Sequence, residues 1–243
     1  MDLLVDIGNT SIKWATWDGA RLGVMGSARH HGALPIDLLA AWDGLTEIDR
    51  IVVGRVGPSK VLEAVEQIAQ SCWDCRPQLI ETAVQAHGVR IAYAEPARLG
   101  VDRFLALIGA RALQRDRPTL IIDAGTAITY DLLDATGTHL GGLILPGIGI
   151  MRDSLLVGTQ IPRYEPSEAD TAWAADTAEA IAAASIQAPA ALAERLHQRL
   201  GMQTGSDPAV ILTGGDAERL RPAIALDIQH QPDLVLQGLS RFA

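Results

Sequence analysis

A carboxylate, small polar side chains and an ammonium group follow one another closely near the start of the chain. Asp6 ends an apolar run, and Gly8 lets the backbone turn tightly after it. Asn9 and Thr10 then offer hydrogen-bond donors, and Lys13 adds a positive charge. Such a loop can bind phosphate groups, with Asp6 holding Mg²⁺ directly or through water and Lys13 neutralising phosphate charge. The alternative is an ordinary hairpin turn in which Asp6 and Asn9 accept bonds from backbone N–H groups.

Two later loops have a similar composition. Residues 123–127 read DAGTA and residues 213–217 read TGGDA. Gly214 and Gly215 would let the backbone approach a nucleotide closely, and the N-terminus of the helix predicted after them favours negative charge. Each loop alone could be a simple turn, but three in this order favour nucleotide binding.

The sequence GVDR at residues 100–103 places a carboxylate and a guanidinium side by side. Transfer of a phosphoryl group to an alcohol requires a carboxylate that accepts the hydroxyl proton and cations that balance charge. Asp102 and Arg103 could supply both. The alternative is an Asp favoured by the N-terminal end of a helix beside a solvated Arg.

The first and second halves of the chain resemble each other. Residues 4–10, LVDIGNT, match residues 121–126, IIDAGT, with Asp123 following Asp6 by 117 residues. A strand, Asp-x-Gly turn and second strand repeated at this spacing predict a duplicated α/β domain. We therefore expect one domain over residues 1–115 and another over 116–243.

The elements that must position these loops follow from hydrophobic periodicity and turn residues. In the first half we predict strands at 3–7, 12–17, 21–26 and 48–53 and helices at 35–42, 59–72 and 97–114. In the second half we predict strands at 119–123, 127–133, 138–145 and 209–212, a helix from about 172 to 200 broken near Pro189, then a short helix and two short strands.

Composition excludes several classes of protein. The chain has 243 residues, of which 48% are hydrophobic, with a net charge of −9. Basic residues cluster only at 115–117, so a nucleic-acid surface is not expected. The uncharged stretch 135–151 contains Pro146 and several glycines, which argues against a membrane span. Cys72 and Cys75 are too few for a disulfide framework or a four-ligand zinc site, and we expect a cytoplasmic protein.

Two other pairs could suggest chemistry but are interpreted as structural. Cys72 and Cys75 have the spacing of a redox pair without a thioredoxin-like context. His30 and His31 are expected in a turn, with no Cys or Glu at a spacing typical of metal ligands.

Together the motifs resemble those of the acetate kinase/sugar kinase/heat-shock-70/actin superfamily, and within it those of the type III pantothenate kinases. Residues 6–13, 123–127 and 213–217 resemble its phosphate-1, phosphate-2 and adenosine motifs. Residues 100–103 and 141–147, the latter reading GGLILPG, are similar to motifs of the type III kinases. The resemblance implies duplicated actin-like ATPase (ribonuclease H-like) domains of the α/β class, with mixed sheets flanked by helices and an ATP cleft between the domains.

The resemblance also implies an activity: ATP-dependent phosphorylation of pantothenate at its primary hydroxyl, giving 4′-phosphopantothenate, the first step of coenzyme A biosynthesis. Asp102 corresponds to the general base. Gly100, Val101, Asp102 and Arg103 correspond to the pantothenate-binding segment, although Val101 stands where Ala is common in the family.

Other residues correspond to ligand contacts of the family. The nucleotide-binding set is Asp6, Gly8, Asn9, Thr10, Lys13, Thr126, Gly214 and Gly215, with Mg²⁺ at Asp6. Asp123 corresponds to a ligand of a monovalent cation, K⁺ or NH₄⁺. Tyr93 and Thr177 correspond to substrate contacts. Tyr93 could instead be an exposed residue before a loop, and Thr177, which follows Asp176 where the family usually has Asn, could be a helix N-cap.

Family members are homodimers whose substrate site involves both subunits, so we expect a homodimer with pantothenate and ATP as its ligands and no nucleic-acid or membrane partner. Two alternatives are a non-catalytic regulator, since relatives have been labelled accessory factors for transcription, and an actin- or chaperone-like ATPase. The presence of Lys13, Asp102 and Arg103 argues against the regulator. The ATPase would need an additional polymerisation or peptide-binding region, for which 243 residues leave little room.

Overall fold

Two five-stranded mixed sheets with the same strand order form the framework of the protein. The computed structural model describes residues 1–161 and 173–243. The chain divides into two compact units. Unit 1 comprises Met1–Arg115, Gly137–His139 and Asp233–Ala243, and unit 2 comprises Asp116–Thr136 and the described part of Leu140–Pro232. The domain limits expected from the sequence, 1–115 and 116–243, stay a prediction.

The sheet of unit 1 begins with an antiparallel meander and continues with parallel strands. Its order is β3-β2-β1-β4-β5, with β4 parallel to β1 and β5 parallel to β4. A small hairpin, β6-β7, follows. The elements in chain order are β1 (Asp2–Ile7), β2 (Ser11–Trp17), β3 (Gly26–Arg29), α1 (Ile36–Asp43), β4 (Arg50–Arg55), α2 (Ser59–Trp73), β5 (Gln78–Leu79), β6 (Gln85–Ala86), β7 (Val89–Arg90) and α3 (Val101–Leu113).

Strand β1 is buried along its whole length because apolar groups cover both faces of the sheet. On one face, Leu3 and Val5 belong to a core that includes Val61 and Val65 of α2. On the other face, the backbone of Gly54 in β4 lies against Leu105 of α3. This burial accounts for the nearly uninterrupted apolar run that precedes Asp6.

Unit 2 repeats this arrangement. Its sheet has the order β10-β9-β8-β11-β12, again with an antiparallel pair at the first strand and parallel partners after it. The elements are β8 (Thr119–Ala124), β9 (Ala127–Leu133), β10 (His139–Pro146), α4 (Ile148–Gly158), α5 (Thr177–Thr204), β11 (Ala209–Thr213), α6 (Ala217–Leu220) and β12 (Ile228–His230). The predicted α/β class with mixed sheets flanked by helices is confirmed.

The predicted position of the third strand is wrong. We predicted it at 21–26, whereas β3 spans Gly26–Arg29. Trp14 of β2 decides the register, because it pairs with Gly26 and a Cβ at residue 26 would overlap the indole ring. Just before the predicted segment the chain turns, and Asp18 Oδ1 accepts the N–H groups of Ala20 and Arg21 there. Backbone hydrogen bonding by Asp18 lowers the pKa of its carboxyl.

Pro189 does not break its helix, contrary to the prediction. α5 runs without interruption from Thr177 to Thr204, while the expected start at residue 172 lies outside the described residues. A proline inside a helix removes one backbone hydrogen bond at a cost of about 3 kcal/mol. Here Pro189 is buried, and its carbonyl oxygen accepts the Tyr130 hydroxyl at 2.8 Å. Tertiary packing therefore offsets the local cost, and burial raises the pKa of Tyr130.

The end of the chain also differs from expectation. Instead of two short strands, it contains β12 and a helix, α7 (Leu234–Leu239), that belongs to unit 1. α7 packs against α3 at two glycines. A Cβ at Gly109 would overlap the Leu234 carbonyl oxygen, and one at Gly238 would overlap the Leu105 carbonyl oxygen.

Close packing of α3 on α7 predicts that replacing glycine by alanine has opposite effects on stability inside and outside this contact. We expect Gly109→Ala to lower the free energy of unfolding by about 1–3 kcal/mol, because the added methyl group forces the two helices apart. Gly44→Ala at the end of α1 is the control, since its φ of −83° suits any L residue and, chain neighbours apart, none of the described residues comes within 4 Å of its Cβ position. It should raise stability by up to about 1 kcal/mol. Urea unfolding measures both, and a neutral Gly109→Ala would contradict close packing.

Candidate active site

The loop between β1 and β2 presents a carboxylate and an ammonium group on one face of the sheet. Asp6 lies directly opposite Lys13 in the antiparallel register, so the two side chains project to the same side. Asp6 is 9% exposed. The Gly8 N–H donates to the Ser11 carbonyl oxygen at 2.9 Å and closes the turn. The geometry brings together the predicted phosphate-loop residues Asp6, Gly8 and Lys13.

Two residues that we did not predict hold this loop. The Nε2 atom of His30 lies 2.9 Å from the Gly8 carbonyl oxygen, and the His30 backbone N–H donates to the Thr10 carbonyl oxygen at 2.9 Å. Gly57 packs against the loop from the other side, since a Cβ there would overlap the Gly8 carbonyl oxygen. His30 is only 4% exposed, whereas the sequence led us to expect it in a turn, with no Cys or Glu at a spacing typical of metal ligands.

Val56 and Gly57, which follow β4, connect the loop between β1 and β2 to the GVDR motif. The N–H groups of Val56 and Gly57 both donate to the Ile7 carbonyl oxygen at 3.0 Å. Val56 Cγ1 also lies 3.6 Å from the position that a Cβ would take at Gly100. The end of β1 and the start of α3 are therefore neighbours within unit 1, although more than 90 residues separate Ile7 from Gly100 in sequence.

Asp102 lies in the first turn of α3, as predicted, and its carboxylate is held there. Gly100 is the N-cap residue, and Asp102 Oδ1 accepts the backbone N–H of Arg103 at 2.8 Å. The N-terminus of a helix favours the ionised form of a carboxyl group. Asp102 therefore has surroundings in which it can act as a carboxylate base.

Arg103 is buried and contacts Tyr93. Its Nη1 donates to the Tyr93 hydroxyl oxygen at 3.1 Å, and its guanidinium carbon lies 5.8 Å from the centre of the Tyr93 ring. Arg103 is 7% exposed, which excludes the solvated Arg that we kept as an alternative. The Tyr93 ring also stacks on buried His139, with centroids 6.2 Å apart and an interplanar angle of 7°. The structure thus brings together Tyr93, Asp102 and Arg103.

Arg55 is another residue of this region that sequence reasoning missed. It ends β4 opposite Ile7 in the parallel register. Its Nη1 donates to the Gly57 carbonyl oxygen at 2.7 Å. Its Nε is buried and has no hydrogen-bond partner among the residues that the structure describes. A strand-ending Arg is common, so no sequence signal distinguished it.

In unit 2, the two glycine-containing loops and the end of β10 pack together by direct backbone contact. A Cβ at Gly214 would lie 2.5 Å from Asp123 Oδ1 and would overlap the Ala124 carbonyl oxygen. The Asp216 N–H donates to that same oxygen at 2.8 Å, and the Gly147 N–H donates to the Thr126 carbonyl oxygen at 2.9 Å. The motifs at 123–127, 141–147 and 213–217 therefore meet at one edge of the sheet.

Thr177 is not the N-cap of its helix. Asp176 is the cap, and its Oδ1 accepts the N–H groups of Ala178 and Glu179. Thr177 is the first residue of α5, and both Thr177 and Thr126 are exposed. The capping alternative for Thr177 is thus wrong, and its contact with substrate stays a prediction.

Within residues 1–161 and 173–243, no three His, Cys, Asp or Glu side chains come together as a metal-binding group. Cys72 and Cys75 are both free thiols. Burial raises the pKa of Cys75, which lowers its reactivity and fits a structural role.

None of the helices in the described part of the chain is both long and apolar enough to cross a bilayer.

Gly214 and Gly215 differ sharply in their surroundings, and this predicts different effects of the same substitution. Gly214 has a φ of +99° and no room for a Cβ, whereas at Gly215 none of the described residues, chain neighbours apart, comes within 4 Å of a Cβ. We expect Gly214→Ala to lower the melting temperature by several degrees because the loop must move away from Ala124. Gly215→Ala should change it by less than about 2 °C. Scanning calorimetry measures both, and equal shifts would contradict the packing described.

Known proteins similar to this chain agree on one family. A family model described as type III pantothenate kinase matches residues 2–199. A type III pantothenate kinase from Nitrosococcus oceani is 37% identical over 249 residues, covering 100% of this chain and 94% of that protein. One from Methylibium petroleiphilum is 38% identical, covering 99% of this chain and 97% of that protein.

Solved structures agree on the fold. A Campylobacter jejuni protein described under the Baf family of transcriptional activators superposes with a TM-score of 0.60 at 20% identity, covering 98% of this chain and 96% of its own. The activator of 2-hydroxyisocaproyl-CoA dehydratase from Clostridium difficile gives 0.55 at 13% identity, covering 100% and 93%. At these identities the likeness is evidence of fold alone, and it confirms the predicted actin-like ATPase fold. The match over most of the sequence places the chain in the type III pantothenate kinase family.

Proposed function

We propose that the protein transfers the γ-phosphoryl group of ATP to the primary hydroxyl of pantothenate, giving 4′-phosphopantothenate and ADP, the first step of coenzyme A biosynthesis. The observation that carries this proposal is the site in unit 1. There the N-terminal end of α3, which carries Asp102 and buried Arg103, adjoins the end of β1 through the contacts of Val56 and Gly57. Family membership identifies the acceptor that this arrangement would serve.

Asp102 is the proposed general base. A bond forms between the substrate hydroxyl oxygen and the γ-phosphorus, and the bond from that phosphorus to the β,γ-bridging oxygen breaks. The hydroxyl proton passes to the Asp102 carboxylate. The bond from the Arg103 N–H to Oδ1 fixes the carboxylate in place, and the N-terminus of α3 stabilises its charged form before transfer.

Arg103 and Tyr93 are the proposed substrate contacts in unit 1, together with Gly100 and Val101. Pantothenate is an anion, so a buried guanidinium can hold its negative charge. The Tyr93 hydroxyl restricts Arg103 to one orientation through the 3.1 Å bond. We retain Thr177 of unit 2 as a further proposed contact.

For the nucleotide, we propose Gly8, Asn9, Thr10 and Lys13 in unit 1. Lys13 supplies positive charge beside Asp6. Mg²⁺ is commonly held by one or two carboxylates together with substrate phosphates. The buried carboxylate of Asp6 at the end of β1 fits that mode, so Asp6 would hold Mg²⁺, which neutralises phosphate charge when bound.

In unit 2 we propose that Thr126, Gly214 and Gly215 contact the nucleotide. Asp123 would bind a monovalent cation, K⁺ or NH₄⁺. Its Oδ1 lies against the backbone of Gly214, and oxygen donors of this kind suit a hard cation. The proposal also places the enzyme in the cytoplasm, where two free thiols are in keeping with a reducing environment.

Release of ADP with and without pantothenate tests the proposed reaction. We expect pantothenate-dependent release by the native protein and a decrease in kcat of about 10²-fold or more for Asp102→Asn, because general-base catalysis contributes that much. Asp43→Asn, at the exposed end of α1, is the matched control and should retain native activity. Release that ignores pantothenate would indicate an ATPase, and no release would indicate a regulator.

We further propose a homodimer, and the surface of unit 2 supports it. Both β10 and α4 expose large apolar side chains: Leu143 and Ile144 on the strand, and Ile150, Leu155 and Val157 on the helix, the last at 75%. A second copy of the chain would remove these groups from water.

A charge placed on this surface should separate the subunits. We expect Val157→Asp to shift the protein from dimer to monomer, because a carboxylate buried in an apolar interface without a partner is strongly unfavourable. Val24→Asp, at an equally apolar and 96% exposed position of unit 1, should remain dimeric. Light scattering coupled to size exclusion measures the mass. A monomeric native protein would contradict the homodimer.

A further inference from the structure

His30 is a buried histidine whose main chain and side chain both form hydrogen bonds with the loop between β1 and β2. It follows β3 and is 4% exposed. Its Nε2 contacts the Gly8 carbonyl oxygen at 2.9 Å, and its backbone N–H donates to the Thr10 carbonyl oxygen at 2.9 Å. The residue between these two anchor points, Asn9, is exposed.

The surroundings of the ring select one form of the imidazole. A carbonyl oxygen only accepts hydrogen bonds, so the bond to Gly8 requires a proton on Nε2. The Gly32 N–H points to Nδ1 at 3.4 Å, which requires a lone pair on that nitrogen. Both contacts are satisfied by the neutral ring that carries its proton on Nε2.

The position of the Gly8 carbonyl group determines where the next N–H points. The Gly8 C=O and the Asn9 N–H belong to one planar trans peptide, in which they point in opposite directions. A carbonyl group held by His30 therefore directs the Asn9 N–H away from the imidazole. Gly57 leaves room for this arrangement, because a side chain there would displace the Gly8 carbonyl oxygen.

We propose that His30 is a positioning residue that orients the Asn9 N–H as a donor to a phosphate group of ATP. The proposal rests on the function proposed above. It assigns to His30 no contact with ATP and no proton transfer. His30 acts on ATP binding, because the peptide group between Gly8 and Asn9 is already fixed and loses less entropy when the phosphate binds. Binding of pantothenate should be unaffected.

The test compares two amides of different length at residue 30. The side-chain nitrogen of His30→Gln can reach the position of Nε2 and donate to Gly8, whereas that of His30→Asn is too short. His31→Asn, at the exposed neighbouring residue, is the control. Isothermal titration with a non-hydrolysable ATP analogue gives Kd, steady-state assays give both KM values, and calorimetry gives the melting temperature.

We expect His30→Asn to raise Kd for the analogue and KM for ATP about tenfold, which corresponds to one net hydrogen bond. KM for pantothenate should not change, and His30→Gln and His31→Asn should remain within about threefold of the native protein. Native affinity in His30→Asn, or equal losses in Asn and Gln variants, would overturn the proposal. The binding titration does not depend on catalysis. Absence of pantothenate-dependent ADP release from the native protein would therefore refute the kinase reaction and leave His30 to be judged on Kd.

Discussion

Close contact between backbones, possible only where glycine has no side chain, holds the functional loops in both units. In unit 1 the backbone of Gly57 packs directly on the Gly8 carbonyl group. In unit 2 Gly147 and Gly214 do the same against the loop that follows β8. These contacts stack the ends of neighbouring strands against one another. The polar residues at the strand ends are thereby fixed, and the buried sheets behind them supply the rigidity.

The two units share a scaffold but differ in charge where they carry the equivalent loop. Asp6 faces Lys13 across β1 and β2, whereas Asp123 faces Thr129 across β8 and β9. Only the first loop therefore pairs its carboxylate with an ammonium group suited to phosphate. The second loop keeps the carboxylate without an ammonium group opposite it, which is why we propose it for a cation and not for phosphate. The two sheets thus share one strand order, and a single residue, Lys13 or Thr129, distinguishes the proposed phosphate loop from the proposed cation loop.

Much of the fold could be predicted because its central strands are buried runs that end in turns. The predicted strand at 127–133 coincides with β9, and helix α2 ends within one residue of its expected limit. Errors arose where a distant partner decides the outcome. Trp14 sets the position of β3, Tyr130 holds the helix across Pro189, and α3 makes the last apolar segment a helix. Local periodicity carries no information about such partners.

For the site, the sequence by itself determined the chemistry of the loops: the carboxylate of Asp6, the GVDR motif with Asp102, and the glycines that allow close approach. These residues carry their chemistry in their type and local order, and they sufficed to indicate the family. Only the tertiary structure decided that Arg103 is buried against Tyr93 and that His30 holds the Gly8 carbonyl group. The reason is physical: burial and orientation arise from contacts between segments far apart in sequence, and neither is encoded in any short stretch of residues.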